Sequence, residues 1–213
     1  MKILLLSDTH GQKVKNLPKA DLLIHSGDWS GAGTYKETRD LIEWLQTIKH
    51  KFGKIVVVPG NHDRWVEANQ AQAKREFADN DMELLIHEST FHMGAIIYGH
   101  PMTPIFGNWA FMGNDRQRKL AADAIPLDTS ILVSHGPPLG YLDKLAENGS
   151  APGMSVGCKH LAEAVLRVQP EMHVFGHIHE GSGVMTLGKT LLVNASHMDE
   201  YYTPTNAFKV VYL

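Results

Sequence analysis

A single cysteine, Cys158, among 213 residues leaves no partner for an intrachain disulfide and no material for a thiolate-rich zinc or iron-sulfur site. A lone thiol suits a reducing compartment. An excess of charge is missing too: 20 Lys+Arg against 23 Asp+Glu give a formal -3. No global basic field therefore draws the chain to nucleic acid or anionic lipid. Long apolar runs are absent. The run Ile3 to Leu6 stops at Ser7 and Asp8, far short of a signal-peptide core, and no later stretch approaches a membrane span. These absences set the expectation of a cytoplasmic protein with no membrane partner. No linker, repeat or low-complexity tract interrupts residues 1–213, which read as one domain with 43% hydrophobic residues to build its core.

What the chain does have is 13 histidines, several beside Gly or Asp. Histidine is the commonest metal ligand and the usual acid or base near neutral pH. Five short apolar runs read as buried strands: Lys2 to Leu6, Asp21 to Ile24, Lys54 to Val58, Ile131 to Val133, and Met172 to Phe175. Between them, Thr34 with Glu37 three residues on forms a capping-box pattern. The helix it opens carries Leu41, Ile42, Leu45 and Ile48 on one face and runs to Gly53. Cys158 to Val168 reads as a second helix, and Arg64 to Ala78 as a weaker one. Segments near 84–98, 183–194 and 207–212 add strands without a helix between all of them. The expectation is an α/β fold with a pair of mixed sheets enclosed by helices. Tyr98 to Asp115, with Phe106, Trp109 and Phe111, reads as a long ordered loop.

Each strand candidate ends in residues able to bind metal. They are Asp8 and His10, then Asp28, then Asn61 and His62, then His135, then His177 and His179. In sheets flanked by helices, ligands collect outside the carboxyl ends of the strands, so this scattered set should converge on one crevice. Residues two apart in extended backbone project to one side, which pairs Asp8 with His10 and His177 with His179. So many candidates exceed one tetrahedral zinc site but suit two ions of higher coordination that share a carboxylate. Oxygen and imidazole donors favour Mn, Fe, Zn, Ni or Co over Cu(I), and Mn is the expected ion. Two such ions about 3.5–4 Å apart can deprotonate a bridging water and clamp the oxygens of an in-line displacement, the apparatus of phosphate-ester hydrolysis.

The ordered blocks Asp8-Thr9-His10, Gly27-Asp28, Gly60-Asn61-His62-Asp63, Ser134-His135-Gly136 and Gly176-His177-Ile178-His179 resemble the signature blocks of calcineurin-like metallophosphoesterases. Within that superfamily the stretches Phe106 to Phe111, His135 to Gly140, His173 to Gly181, and Asn194 to Ser196 resemble the metallophosphoesterase-domain-containing subgroup. The resemblance implies a four-layer α/β/β/α sandwich. It implies one metal on Asp8, His10, Asp28 and His179, and a second on Asp28, Asn61, His135 and His177, with Asp28 as the bridge. His62 would contact the phosphate and assist the leaving group, with Asp63, one methylene shorter than the Glu common there, orienting its ring. Trp29-Ser30-Gly31 carries neither the Arg of protein Ser/Thr phosphatases nor the Tyr of purple acid phosphatases.

Other residues admit plainer readings. His25 and His173 read as hydrogen-bonded core histidines, and His50 as a helix-end contact. His100 is either a surface residue or a substrate contact, and Arg64 either a phosphate ligand or a salt bridge. Phe106, Trp109 and Phe111 either pack their loop or stack a nucleobase, with Trp109 taken as a substrate contact alongside Asn61, His62 and His100. The function expected is a dimetal phosphodiesterase acting on small nucleotide esters such as 2′,3′-cyclic AMP. Its rivals are a nuclease of the same superfamily and a nucleotide- or metal-binding regulatory scaffold with vestigial activity. The sequence leaves the oligomeric state open.

Overall fold

A computed structural model describes residues 1–148 and 151–213. The chain opens with β1 (Lys2–Leu6), β2 (Ala20–His25), α1 (Tyr35–Ile48), a 3-10 turn over Lys49–Lys51, and β3 (Phe52–Val57). It continues through α2 (Arg64–Ala68), α3 (Gln70–Ala78), β4 (Glu83–Leu84), β5 (Glu88–His92) and β6 (Ala95–His100). Next come β7 (Thr103–Pro104), β8 (Met112–Gly113), α4 (Asp115–Asp123), β9 (Ile131–Ser134) and α5 (Lys159–Val168). The last elements are β10 (Met172–Phe175), a 3-10 turn at His179–Gly181, β11 (Gly183–Leu187), β12 (Thr190–Asn194) and β13 (Lys209–Tyr212).

Two large sheets form among the described residues, in the orders β13-β1-β2-β3-β4 and β11-β12-β10-β9-β6-β5, beside the two-stranded β7-β8 pair. The strands from β1 to β4 run parallel with β13 antiparallel at the edge, while β6, β9, β10 and β12 run parallel between antiparallel β5 and β11. The sheets are therefore mixed, as the sequence predicts.

The strands are apolar on both faces because each sheet lies between the other sheet and a helical layer. In β1, Ile3 and Leu5 meet Val133, Met172 and Val174 of the second sheet, while Leu4 and Leu6 turn to Leu41, Ile42 and Leu45 of α1 and Phe77 of α3. Behind the second sheet, Leu132 and Phe175 pack on Leu161, Ala164 and Val165 of α5 and Ala122 of α4. The layers run α/β/β/α. Register matches this two-faced packing, with Ile3 beside Leu22 and Leu5 beside Ile24.

Several boundaries differ from the sequence reading. α1 stops at Ile48, and Gly53 belongs to β3 rather than to the helix end, because Phe52 pairs with Ala20 of β2. The Arg64–Ala78 helix breaks at Asn69, whose φ of -133° is not helical. Tyr98 to Asp115 is not all loop, since it holds the end of β6 and the short parallel pair β7 and β8. α4 was not foreseen: only Ala122 of its residues is buried, so it lacks the apolar stripe that betrays a helix. Its start is fixed by a capping box between Asn114 and Gln117. Among the described residues no helix is long and apolar enough to cross a membrane.

The Thr34 capping box is formed as the sequence predicts, and Glu37 does more than complete it. Its carboxylate also accepts the N–H groups of Gly31 and Ala32 at 2.9 and 3.0 Å. Burial acts to raise the Glu37 carboxyl, but the amides of Thr34, Ala32 and Gly31 hold it at about 2. Thr34→Ala should lower the unfolding free energy by about 1 kcal/mol in urea melts. A depressed carboxyl stabilises above its ordinary value near ~4.3 and loses that contribution as pH falls toward its folded value. The stability gap between the parent and Glu37→Gln should therefore be full above that pH and close as it falls through this window.

Candidate metal centre

The carboxyl ends of β1, β2, β3, β9 and β10 meet along one edge of the sandwich, and seven sequence-predicted residues meet with them. Ligand-capable atoms of Asp8, His10 and His179 lie within 4.8 Å of one another, and so do those of Asp28, His135 and His177. Asn61 joins the second group, its Oδ1 2.9 Å from His135 Nε2. The groups interlock: the backbone N–H of His177 reaches both oxygens of Asp8, while Asp28 accepts the N–H of His62 at 2.7 Å and faces His135 Nε2 at 3.3 Å.

Bringing so many polar groups to one point demands unusual backbone. Asp8, His10, Asp28 and His177 have φ of 52°, 42°, 55° and 69°. Residues with a Cβ enter this left-handed region at a cost, and such residues cluster at functional sites. The chain here bends to aim side chains that glycine could not supply. Close approach then excludes side chains next door, since a Cβ on Gly176 would overlap the Asp8 carboxylate, and one on Gly60 the Asp28 carboxylate.

Asp63 supplies the scaffold of these turns. Its carboxylate accepts the N–H groups of Gly60, Asp28 and Ser30 at 2.7, 3.0 and 3.1 Å, joining the loop after β3 to the loop after β2. The expected contact of Asp63 with the His62 ring is not made. His62 Nδ1–H donates instead to Gly31 O at 2.7 Å, because three backbone donors turn the shorter acid inward. Burial and the charge of Asp28 push the Asp63 carboxyl up to about 8, against the pull of those amides.

Backbone carbonyls aim the histidines. The Nδ1–H groups of His10, His135 and His179 donate to Ser30 O, Ser26 O and Asp199 O at 2.9, 2.9 and 2.8 Å, which directs each Nε2 into the site. This is how proteins fix the tautomer of a metal-binding imidazole. His10 Nε2 is buried and has no hydrogen-bond partner, an orphan that a cation between Asp8 and His179 would satisfy. Two carboxylates, four imidazoles and an amide oxygen fit two divalent ions.

Charge in the metal-free protein follows the same pairing. Burial opposes ionisation throughout, yet His135 draws the Asp28 carboxyl down to about 2, and His179 holds Asp8 well below the usual range. Against burial, Asp28 lifts His135 to about 9, and Asp8 lifts His179 to about 9. His177, dominated by burial, drops to about 3.

Around this centre the side chains form an aromatic rim. The Trp109 ring lies 4.3 Å from that of His62, with the Arg64 guanidinium 4.6 Å from the Trp109 ring centre. Arg64 also donates to Asn108 O at 2.7 Å, so it holds the aromatic loop. Phe106, 54% exposed, lies 5.2 Å from His177 at a cavity of about 520 Å³ lined by Pro104, Ile105, Leu145, Val156 and Arg118. Phe111 is buried in the core. His100 is wholly buried against His87, and its reading as a substrate contact is corrected: β6 runs on through it to pair with Ser134 inside the sheet. His25 and His173 bond Thr9 and Ser134 in the core, as expected. Sequence reasoning missed Tyr202, whose ring touches His10 and His179; its stretch of Tyr, Thr and Pro reads only as a turn.

The sequence model described as calcineurin-like phosphoesterase matches residues 1–181. Metallophosphoesterase domain-containing protein 1 of Homo sapiens is 36% identical over 94% of this chain and 67% of its own length. A probable glycerophosphodiester phosphodiesterase of Arcobacter nitrofigilis is 26% identical over 79% of this chain and 60% of its own length. Among solved structures, TT1561 of Thermus thermophilus superposes with a TM-score of 0.62, covering 92% of this chain and 88% of that one, and at 16% identity the likeness is one of fold.

A cation needs the Nε2 lone pairs that protons hold on His135 and His179 below about 9. Loading metal at pH 7 should therefore expel about two protons per chain from these imidazoles, a share that falls toward none above pH ~9 and adds to any proton lost by a water that the ions would activate. Calorimetric titration in buffers of different ionisation enthalpy reads this directly. Heats that do not change with the buffer at pH 7 would rule the exchange out.

Proposed function

The chain belongs to the calcineurin-like phosphoesterase family, and from that premise we propose that it is a phosphodiesterase that hydrolyses small phosphate diesters at its paired clusters. The observation that carries this reading is the convergence of Asp8, His10 and His179 with Asp28, His135 and His177, each group one carboxylate and two imidazoles. Asp8, His10, Asp28 and His179 would hold one divalent ion, and Asp28, Asn61, His135 and His177 the other; the oxygen and imidazole donors suit Mn, Fe, Zn, Ni or Co, of which manganese is the ion we propose. Two such ions, when bound, supply Lewis acidity and an activated water.

The protein's own groups would do the rest. The Asn61 amide faces the site and can donate to a phosphoryl oxygen. His62 belongs to neither cluster, and with Nδ1 committed to Gly31 O its Nε2 is left to protonate the departing alkoxide. Its position between the Asp28 loop and the Trp109 ring suits a group that meets substrate at the mouth. An ester with a sizeable organic group is supported by the cavity of about 520 Å³ beside His177 and by the Trp109 face. A nucleotide such as 2′,3′-cyclic AMP combines the required phosphodiester with a planar base for such a face. The relative named as a glycerophosphodiester phosphodiesterase supports diester chemistry.

The test is hydrolysis of bis-p-nitrophenyl phosphate and 2′,3′-cyclic AMP by the manganese-loaded protein. Asp28→Ala should abolish turnover and bound metal together. His62→Ala should keep both metals and lose at least ~10²-fold in kcat, the usual worth of a general acid. Loss of metal from the His62 variant would overturn its role. Cleavage of the generic diester alone would remove the nucleotide and leave the mechanism. No cleavage of either across a series of divalent metals would overturn the diesterase and favour a binding scaffold.

A further inference from the structure

Tyr202 lies beyond the residues that the family model matches, yet its ring sits against three histidines of the centre. Ring centroids are 4.8 Å from His10, 5.1 Å from His179 and 6.5 Å from His62, at interplanar angles of 64°, 74° and 64°. It thus spans the first metal-binding group and the candidate acid. The residue is 55% exposed, and among the described residues its phenol donates to no protein acceptor. A tyrosine set edge-on to the buried His179 and the half-buried His10 and His62, with its hydroxyl unclaimed, is placed to meet whatever enters there.

The loop around it is built for that placement. Tyr202 has a φ of 58°, a conformation that a bulky side chain adopts only when its surroundings hold it. Asp199 does the holding: its Oδ1 accepts the N–H groups of Tyr201 and Thr203 at 2.9 Å, its Oδ2 the Thr205 hydroxyl at 3.2 Å, and its carbonyl the Tyr202 N–H at 2.9 Å. The same carbonyl oxygen receives His179 Nδ1–H at 2.8 Å. One residue therefore sets both the imidazole and the phenol beside it, and Tyr201 is drawn away by Asn148, which donates to its hydroxyl at 2.8 Å.

We infer that Tyr202 is a substrate-contacting residue, whose phenol O–H donates to a phosphoryl oxygen of the ester at the mouth beside His62 and whose ring walls the His10 and His179 side. The inference rests on the phosphodiesterase reading for the identity of the ester, but the phosphate contact can be measured without turnover. No proton leaves the phenol in this role; it donates a hydrogen bond and keeps its O–H.

Two variants separate the ring from its hydroxyl. Tyr202→Phe keeps the wall and removes the donor. Tyr202→Gly removes both and suits the left-handed backbone, so the loop has no cause to unfold. With the protein loaded with manganese, Tyr202→Phe should bind inorganic phosphate about tenfold more weakly, the worth of one hydrogen bond to a charged oxygen. Its metal content and melting temperature should equal the parent's. Its kcat/KM for bis-p-nitrophenyl phosphate should fall by a similar factor, and Tyr202→Gly should fall further. Parent-like phosphate binding by Tyr202→Phe would overturn the inference. So would loss of metal in step with loss of phosphate binding, which would make Tyr202 a support for His10 and His179. A parent that binds phosphate with the predicted tyrosine dependence but cleaves no diester would retain the contact and sink only the diesterase reading.

Discussion

Asp8, wholly buried at the end of β1, accepts the backbone N–H of His177 after β10 and the hydroxyl of Ser196 after β12, the latter at 2.8 Å, and so ties one sheet to two strands of the other. A buried carboxylate without partners would cost several kcal/mol, so this one must either be satisfied or neutralised. Here it is satisfied by groups that the opposite sheet brings only when the two sheets pack in register. A main-chain bond reinforces the joint, as His197 N–H donates to Ser7 O at 2.9 Å, while Asp8 N–H, donating to Gly27 O at 2.9 Å, ties the turn to the neighbouring strand of its own sheet. Formation of the centre and packing of the sheet ends are therefore one event.

The same constraint explains why the loops are tight and strained. Asp8 and Asp28 must turn back over the strand ends to face histidines from β9 and β10, and both do so with positive φ. The conformational cost is met by hydrogen bonds that cross between loops: Asp8 holds the His177 amide, and Asp28 holds that of His62. Two negative charges so close would repel, and in the metal-free protein the protonated His135 and His179 answer each of them. Cations can take over that neutralising role because the geometry already places their donors.

Much of this was legible in the sequence, for a physical reason. Strands buried on both faces must be short unbroken apolar runs, and the residues just beyond them must be polar, so Leu6 to Asp8, Phe175 to His177 and Val133 to His135 announce both the sheet and its functional edge. α1 was visible because a local capping box and an apolar stripe coincide in it. What stayed hidden depends on contacts distant in sequence. His100 looked available beside Pro101, but its pairing with Ser134 buries it. Asp63 looked like a partner for its neighbour His62, but the amides of Asp28 and Ser30, more than thirty residues away, claim it. Tyr202 reaches His10 across the whole chain, with no local pattern to signal it.

The loop from Ser26 to Gly31 then emerges as the part of the chain with most control over the centre. Its Asp28 supplies a carboxylate, and the carbonyls of Ser26, Ser30 and Gly31 orient His135, His10 and His62. Trp29, 1% exposed, anchors the loop in the core against Phe77, and Asp63 grips its amides on either side of that anchor. A shift of this one segment would move His10 of one cluster, Asp28 and His135 of the other, and the candidate acid together. Asp63 thereby acts on the site without facing it: by fixing a single loop, it keeps three imidazoles in the relation that shared chemistry requires.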